Sequence, residues 1–192
     1  MHKKVGSNGK VIAFEPQPEL NKELHALRDA FSLPRLEIAP VGLSSVSQKM
    51  KMYRPKNHWG AASVETGASD ESLEQFEVDV ITLDSFLDKH AASLVKFIKC
   101  DVEGHESDVL QGGVETIKIG RPDILFECHD AMNPNCKPFE LLHSIDYRGF
   151  CFFKGGMTPI DNYGQLREKG QLHRKTLTDF VFVPKERSNQ LL

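Results

Sequence analysis

Short apolar runs alternate along the chain with stretches whose apolar positions recur at helical spacing. Residues 10–16, KVIAFEP, read as an interior strand that ends on an acid and a proline that cannot continue a ladder. Leu20, Leu24, Leu27 and Phe31 then mark one face of an amphipathic helix that stops before Pro34. Residues 36–43 read as a second strand, made irregular by Pro40. Between 44 and 76 the pattern weakens, and short strands with a surface loop are expected. Residues 76–80 alternate as a half-exposed strand, and Thr82 or Asp84 is placed to cap a short helix through Leu87.

Residues 95–100 carry apolar side chains on both faces, as a strand covered on both sides does. Leu110, Val114 and Ile117 give a helical face behind it, which Gly112-Gly113 should bend or interrupt. The theme repeats at 122–128, an apolar strand with an acid near its end and His129 just beyond. Phe139, Leu142 and Ile145 predict another helix, and 149–153 and 179–184 predict two closing strands that would pair antiparallel. Residues 154–176 are polar and long for a structureless loop, which makes them a candidate lid or substrate loop. Alternating strands and helices without a linker or internal repeat predict one domain over 1–192, an α/β fold with a doubly wound, mostly parallel sheet and an antiparallel C-terminal edge.

The acids at strand ends are the candidate chemistry, because in open α/β sheets the ligand crevice lies beyond the carboxyl ends of the strands. Glu15 could accept hydrogen bonds from the vicinal hydroxyls of a ribose, or be a surface acid before a turn. Asp101 and Glu103 face one side if the chain stays extended across Val102, and Gly104 permits a left-handed turn. The pair could orient an acceptor hydroxyl, take its proton or hold a divalent ion. Equally, Glu103 or Glu106 could serve only the positive end of the following helix. Glu127 and His129 share one side of their strand and could complete that site or pair with each other. His105 lacks an HxH or HxxxH partner for zinc, and oxygen ligands from Asp101, Glu103 and Glu127 would better suit magnesium or calcium. Trp59, the only tryptophan, could stack on a ligand ring or simply pack.

Composition narrows the field of partners. A 192-residue chain, 40% hydrophobic and 27% charged with net charge −3, has no field that would draw nucleic acid or an anionic membrane surface. Small-molecule partners fit better. No long apolar segment follows the basic start, so a cytoplasmic location is expected. Cys100, Cys128, Cys136 and Cys151 show no metal-ligand spacing and are expected to be reduced and mostly buried. Oligomeric state leaves no trace in the sequence.

Five strings resemble the FkbM-type S-adenosylmethionine-dependent methyltransferases: GKVIAFEPQPE at 9–19, VDVITLDSF at 78–86, IKCDVEGHESDVLQGG at 98–113, RPDILFEC at 121–128 and the closing DFVFVP. They span nearly the whole chain in the family's order. The resemblance implies a Rossmann-like class I methyltransferase sheet in the order 3-2-1-4-5-7-6, S-adenosylmethionine as cofactor, and methyl transfer to an oxygen of a sugar or other small-molecule hydroxyl acceptor. By position it implies that Glu15 binds the cofactor ribose, that Val41 and Gly42 lie near the adenine, and that Asp101 and Glu103 line the methyl-transfer crevice. Asp101 then counts among cofactor contacts as well as being the first candidate base, with Glu103, Glu127 and His129 after it.

The family also carries a strand and a glycine-rich turn of the type DxGANxG upstream of the GKVIAFEP string. Residues 1–9 hold only Gly6 and Gly9 and resemble the end of the helix that follows that turn, so an N-terminally truncated domain is expected. Two other readings stand beside methyl transfer: a catalytically silent remnant acting as a binding module, and a divalent-metal hydrolase built on Asp101, Glu103, Glu127 and His129.

Overall fold

The computed structural model describes residues 5–56, 72–128, 136–153, 155–162 and 179–189. The chain divides into two compact units, Met1–Thr82 and Leu83–Leu192.

In the first unit, β1 (Val11–Phe14) and β2 (Leu36–Ala39) pair in parallel, Val11 opposite Leu36 and Phe14 opposite Ala39. They are joined by α1 (Pro18–Ala30), whose first turn accepts Pro18 because that position needs no N–H donor. The expected interior strand is half-buried, with β2 as its one ladder partner among the described residues. The leucine stripe of α1 is only partly covered, no residue of the helix is buried, and Phe31 just beyond it is 68% exposed. Pro40, which has no N–H to give a ladder, splits the expected strand 36–43 in two. Beyond it β3 (Gly42–Leu43) joins a different sheet, parallel to β5 (Leu73–Ile81), on whose other side β4 (Gln48–Pro55) runs antiparallel. Trp59 lies outside the described residues.

The second unit is built on a five-stranded sheet in the order β6-β7-β10-β8-β9. β6 (Phe97–Cys100) and β7 (Asp123–Glu127) are parallel. β10 (Asp179–Pro184) lies antiparallel between β7 and β8 (Tyr147–Phe153), and β8 pairs antiparallel with β9 (Gly156–Pro159). The adjacency of the two closing strands is as the sequence predicts. The antiparallel portion is wider than expected, because β9 rises within the stretch read as a loop and β4 folds back on β5.

Among the described residues the unit also holds helices α2 (Leu83–Phe86), α3 (Lys89–Leu94), α4 (Glu106–Gln111), α5 (Val114–Gly120), α6 (Lys137–Ser144) and α7 (Lys185–Ser188), with a short 3-10 turn at Ile160–Asn162. Gly112-Gly113 separates α4 from α5, as the pattern predicts. Asp84 caps α5 rather than its own short helix: its two carboxylate oxygens accept the Glu115 and Thr116 N–H groups at 3.0 and 2.7 Å.

The core of this unit is aromatic. Phe126, Phe150, Phe180 and Phe182 are fully buried, each contributing about 1.5–3 kcal/mol relative to exposure. Phe139 of α6 meets the Phe180 ring edge-on at 4.9 Å and Phe126 at 6.0 Å, which fixes the helix on the sheet. Buried Tyr147 donates its hydroxyl to the Pro122 carbonyl at 3.0 Å. One expectation fails at β6. It pairs with β7 alone among the described residues, and Phe97 is 45% exposed, so an apolar strand here is an edge. Among the described residues no helix is long and apolar enough to cross a membrane.

Candidate functional site

Each unit presents one acidic strand end. In the first, Glu15 follows β1, and its N–H still reaches the Ala39 carbonyl at 3.0 Å before Pro16 ends the ladder. The chain then turns into α1, and the Glu15 carboxylate closes that turn: Oε1 accepts the Gln17 N–H at 2.8 Å, while Asn21 Nδ2 donates to the Glu15 carbonyl at 3.2 Å. Glu15 Oε2 has no hydrogen-bond partner among the described residues. Burial pushes the Glu15 carboxyl above the usual 4.5, and the Gln17 hydrogen bond pulls the other way. The result is a fixed, partly desolvated acceptor.

What holds this turn is Arg54, on the inward face of β4 and only 5% exposed. Its Nη1 donates to Gln17 Oε1 at 3.2 Å and to Glu19 Oε2 at 3.1 Å, and its Nε to Glu74 Oε2 at 3.0 Å. Its guanidinium lies 4.8 Å from the Phe76 ring centroid. These carboxylates raise the Arg54 pKa, so the group stays charged although buried. A line of contacts thus runs from Glu19 and Glu74 through Arg54 and Gln17 to Glu15. Gly42 packs against the same turn, since a Cβ there would sit 3.0 Å from Val80 Cγ1 and 3.5 Å from Pro16 Cγ. Val41 beside it is half-buried.

In the second unit β6 ends at Cys100, and Asp101 is exposed just beyond it. Lys99 Nζ donates to Asp101 Oδ2 at 2.6 Å. The Lys99 ammonium is held above its usual value first by its hydrogen bond to Asp101, against the opposing effect of burial, with Asp179 and Glu127 adding smaller pushes in the same direction. Sheet register agrees: Cys100 lies opposite Phe126 and Asp179 opposite Glu127, so Asp101, Glu127 and Asp179 gather at one end of three adjacent strands.

Asp101 and Glu103 do not share an extended face. Glu103 takes φ 51° and Gly104 φ 96°, a left-handed turn rare for a glutamate. Buried Glu106 organises this turn, its Oε1 accepting the Val102 and Gly104 N–H groups at 3.4 and 3.2 Å. Glu106 is therefore structural, while Asp101 and Glu103 are exposed and Glu127 is half-buried. His129 lies outside the described residues. Among those described, no three His, Cys, Asp or Glu side chains converge as a metal site.

A family model described as the methyltransferase FkbM domain matches residues 1–152. The chain belongs to the FkbM methyltransferase family. The crystal structure of methyltransferase FkbM from Methylobacillus flagellatus KT superposes with a TM-score of 0.52 at 18% identity, over 90% of this chain and 36% of that one. The chain thus spans about a third of that protein's length, and the likeness supports the α/β, Rossmann-like fold. No curated protein matches the chain. The family's strand order 4-5-7-6 corresponds to β6-β7-β10-β8, and its adjacent strands 3-2 to β2-β1.

Within this FkbM frame the sequence located Glu15, Asp101 and Glu127 at strand ends, where the structure also has them, whereas Val41 and Gly42, read inside one strand over 36–43, lie at the break between β2 and β3. It missed Arg54, Gln17, Lys99 and Asp179. The alternation Met50-x-Met52-x-Arg54 could have shown that this arginine points inward, because strand residues two apart share a face.

Proposed function

We propose that this chain carries out S-adenosylmethionine-dependent methyl transfer to the hydroxyl of a sugar or other small molecule. The observation that carries the reading is Glu15: a carboxylate at the end of β1, fixed through Oε1, with Oε2 available to accept from a ribose hydroxyl. Such an acid is suited to a nucleoside cofactor, and Gly42 and Val41 stand in the same unit as candidates for the adenine side. Bound S-adenosylmethionine supplies an electrophilic methyl group. The chain's task is then to align the acceptor and accept its proton.

Asp101 is the candidate base. It stands at a strand end with its charge balanced by Lys99 at 2.6 Å, a contact that also restricts the carboxylate's orientation. Glu127 is the second acid of this group, and Glu103 and His129 are further candidates from the sequence. A cytoplasmic setting is part of the same reading.

The test is calorimetric titration of S-adenosylmethionine into wild type, Glu15→Gln and Asp101→Asn, followed by methyl-transfer assays over a panel of sugar and small-molecule alcohols. Binding by wild type, weakened in the Glu15 variant and preserved but unproductive in the Asp101 variant, is the expected pattern. A folded wild-type chain that binds no cofactor would leave the silent binding module as the better reading.

A further inference from the structure

Two of the four cysteines are neighbours in space. Cys128 follows β7 directly and Cys136 precedes α6, and their Sγ atoms lie 3.2 Å apart, both buried at 5% and 2% exposure. Phe126, two residues before Cys128, and Phe139, three after Cys136, meet edge-to-face at 6.0 Å, which ties the two flanking segments together. A disulfide needs its sulfurs about 2.05 Å apart, so the pair must close by only ~1.2 Å. No comparable pair exists elsewhere among the described residues: Cys151 Sγ contacts the Thr158 carbonyl, and burial pushes the Cys100 thiol up to about 12.

We infer that Cys128 and Cys136 form a dithiol modification site that a peroxide converts to a disulfide, tying the end of the β7 strand to the start of α6. One thiolate attacks a peroxide oxygen, the O–O bond breaks, and a sulfenic acid and water result once the leaving hydroxide is protonated. The second sulfur attacks the sulfenic sulfur, the S–O bond breaks, and the departing hydroxide takes the second thiol's proton as water. Two thiols thus lose two electrons to one peroxide, giving one disulfide and two waters.

Burial selects the oxidant. Bulky disulfides cannot reach sulfurs this covered, whereas hydrogen peroxide is the size of a small solvent molecule, and the adjacent thiol traps the sulfenic acid before a second peroxide arrives. The bond would close a ring through residues 129–135 beside Glu127. Because a crosslink restricts the unfolded chain, it should raise the melting temperature by several degrees.

The experiment treats the full chain with hydrogen peroxide, denatures it, alkylates the remaining thiols and weighs it intact. Two alkylations in place of four are expected, restored to four by dithiothreitol, with a Cys128–Cys136 crosslinked peptide after non-reducing digestion of wild type. Cys128→Ser and Cys136→Ala should each abolish the crosslinked peptide and the thermal shift. Four alkylations after peroxide, a loss that dithiothreitol does not reverse, or a crosslink involving Cys100 or Cys151 would each overturn the inference. Peptide mapping of wild type decides the question even if either variant fails to fold.

Discussion

Replacing Arg54 by methionine tests whether the Glu15 turn is held from behind. Methionine keeps the apolar contact with Phe76 while removing every polar one. The half-exposed partners Glu19 and Glu74 make surface-type ion pairs with a buried cation, each worth about 0.2–1 kcal/mol. The hydrogen bond to Gln17 Oε1 is different, because Gln17 is itself buried, and losing a buried donor costs about 1–3 kcal/mol. With the charged stack on Phe76 adding about 0.5–1 kcal/mol, and allowing for non-additivity within one network, Arg54→Met should destabilise by about 2–4 kcal/mol. The assay is urea unfolding, read as a lower midpoint at unchanged slope. Glu19→Gln and Glu74→Gln should each cost less than about 1 kcal/mol. On the reading that Glu15 holds the cofactor ribose, Arg54→Met should also weaken cofactor binding about tenfold, as a loss of about 1.4 kcal/mol does. A loss below about 0.5 kcal/mol, no larger than an ordinary surface substitution, would refute the view that Arg54 anchors this turn.

Cofactor binding should depend on pH through Glu15. Its folded-state pKa lies above 4.5, so stability contributed by the protonated form is present below 4.5 and lost as pH rises through the folded value. Binding that needs the carboxylate runs the other way and weakens as pH falls through that value; titration at a series of pH values reads it, and Glu15→Gln should abolish the dependence. Asp101→Asn should lower turnover about 10²–10⁴-fold, the usual worth of a general base, with cofactor binding unchanged. Asp84→Ala removes the cap of α5 and should cost about 1 kcal/mol in urea unfolding. In acid, Arg121 holds Glu186 down to about 2 through contacts of 3.0 and 2.8 Å, so that contribution is fully present above about 4.5 and lost as pH falls toward 2. Arg121→Met should flatten that part of the stability profile, measured by urea midpoint against pH.

Much of the architecture is legible in the sequence because its elements carry one clear period each. KVIAFEP, RPDILFEC and DFVFVP are short, apolar and bounded by prolines or acids, and all three are strands. The glycine pair at 112–113 parts two helices where it should. β4 was illegible as a long strand because its inward positions run Met50, Met52, Arg54, and a buried cation breaks the apolar alternation that marks a strand. The exposure of β6 could not be read either, since apolar residues on both faces say what a strand would favour, not which neighbours it has. At the candidate site the acids were visible, but their holders were not. Arg54 lies far along the chain from Glu15, and the positive φ at Glu103 depends on Glu106 gathering two N–H groups, a local closure that residue types alone do not specify.

The one-sided pairing of β6 has a consequence for isotope exchange. The Asp123 N–H donates to the Lys96 carbonyl, and the alternation of a parallel ladder then turns the Ile98 and Cys100 amides toward β7 and those of Phe97 and Lys99 away from it. In deuterated solvent the first two should keep their protons long after the last two have lost theirs. Four consecutive residues become a built-in comparison of paired and unpaired amides, and anything that adds a neighbour along the outer side of β6 would announce itself as a slowing confined to Phe97 and Lys99.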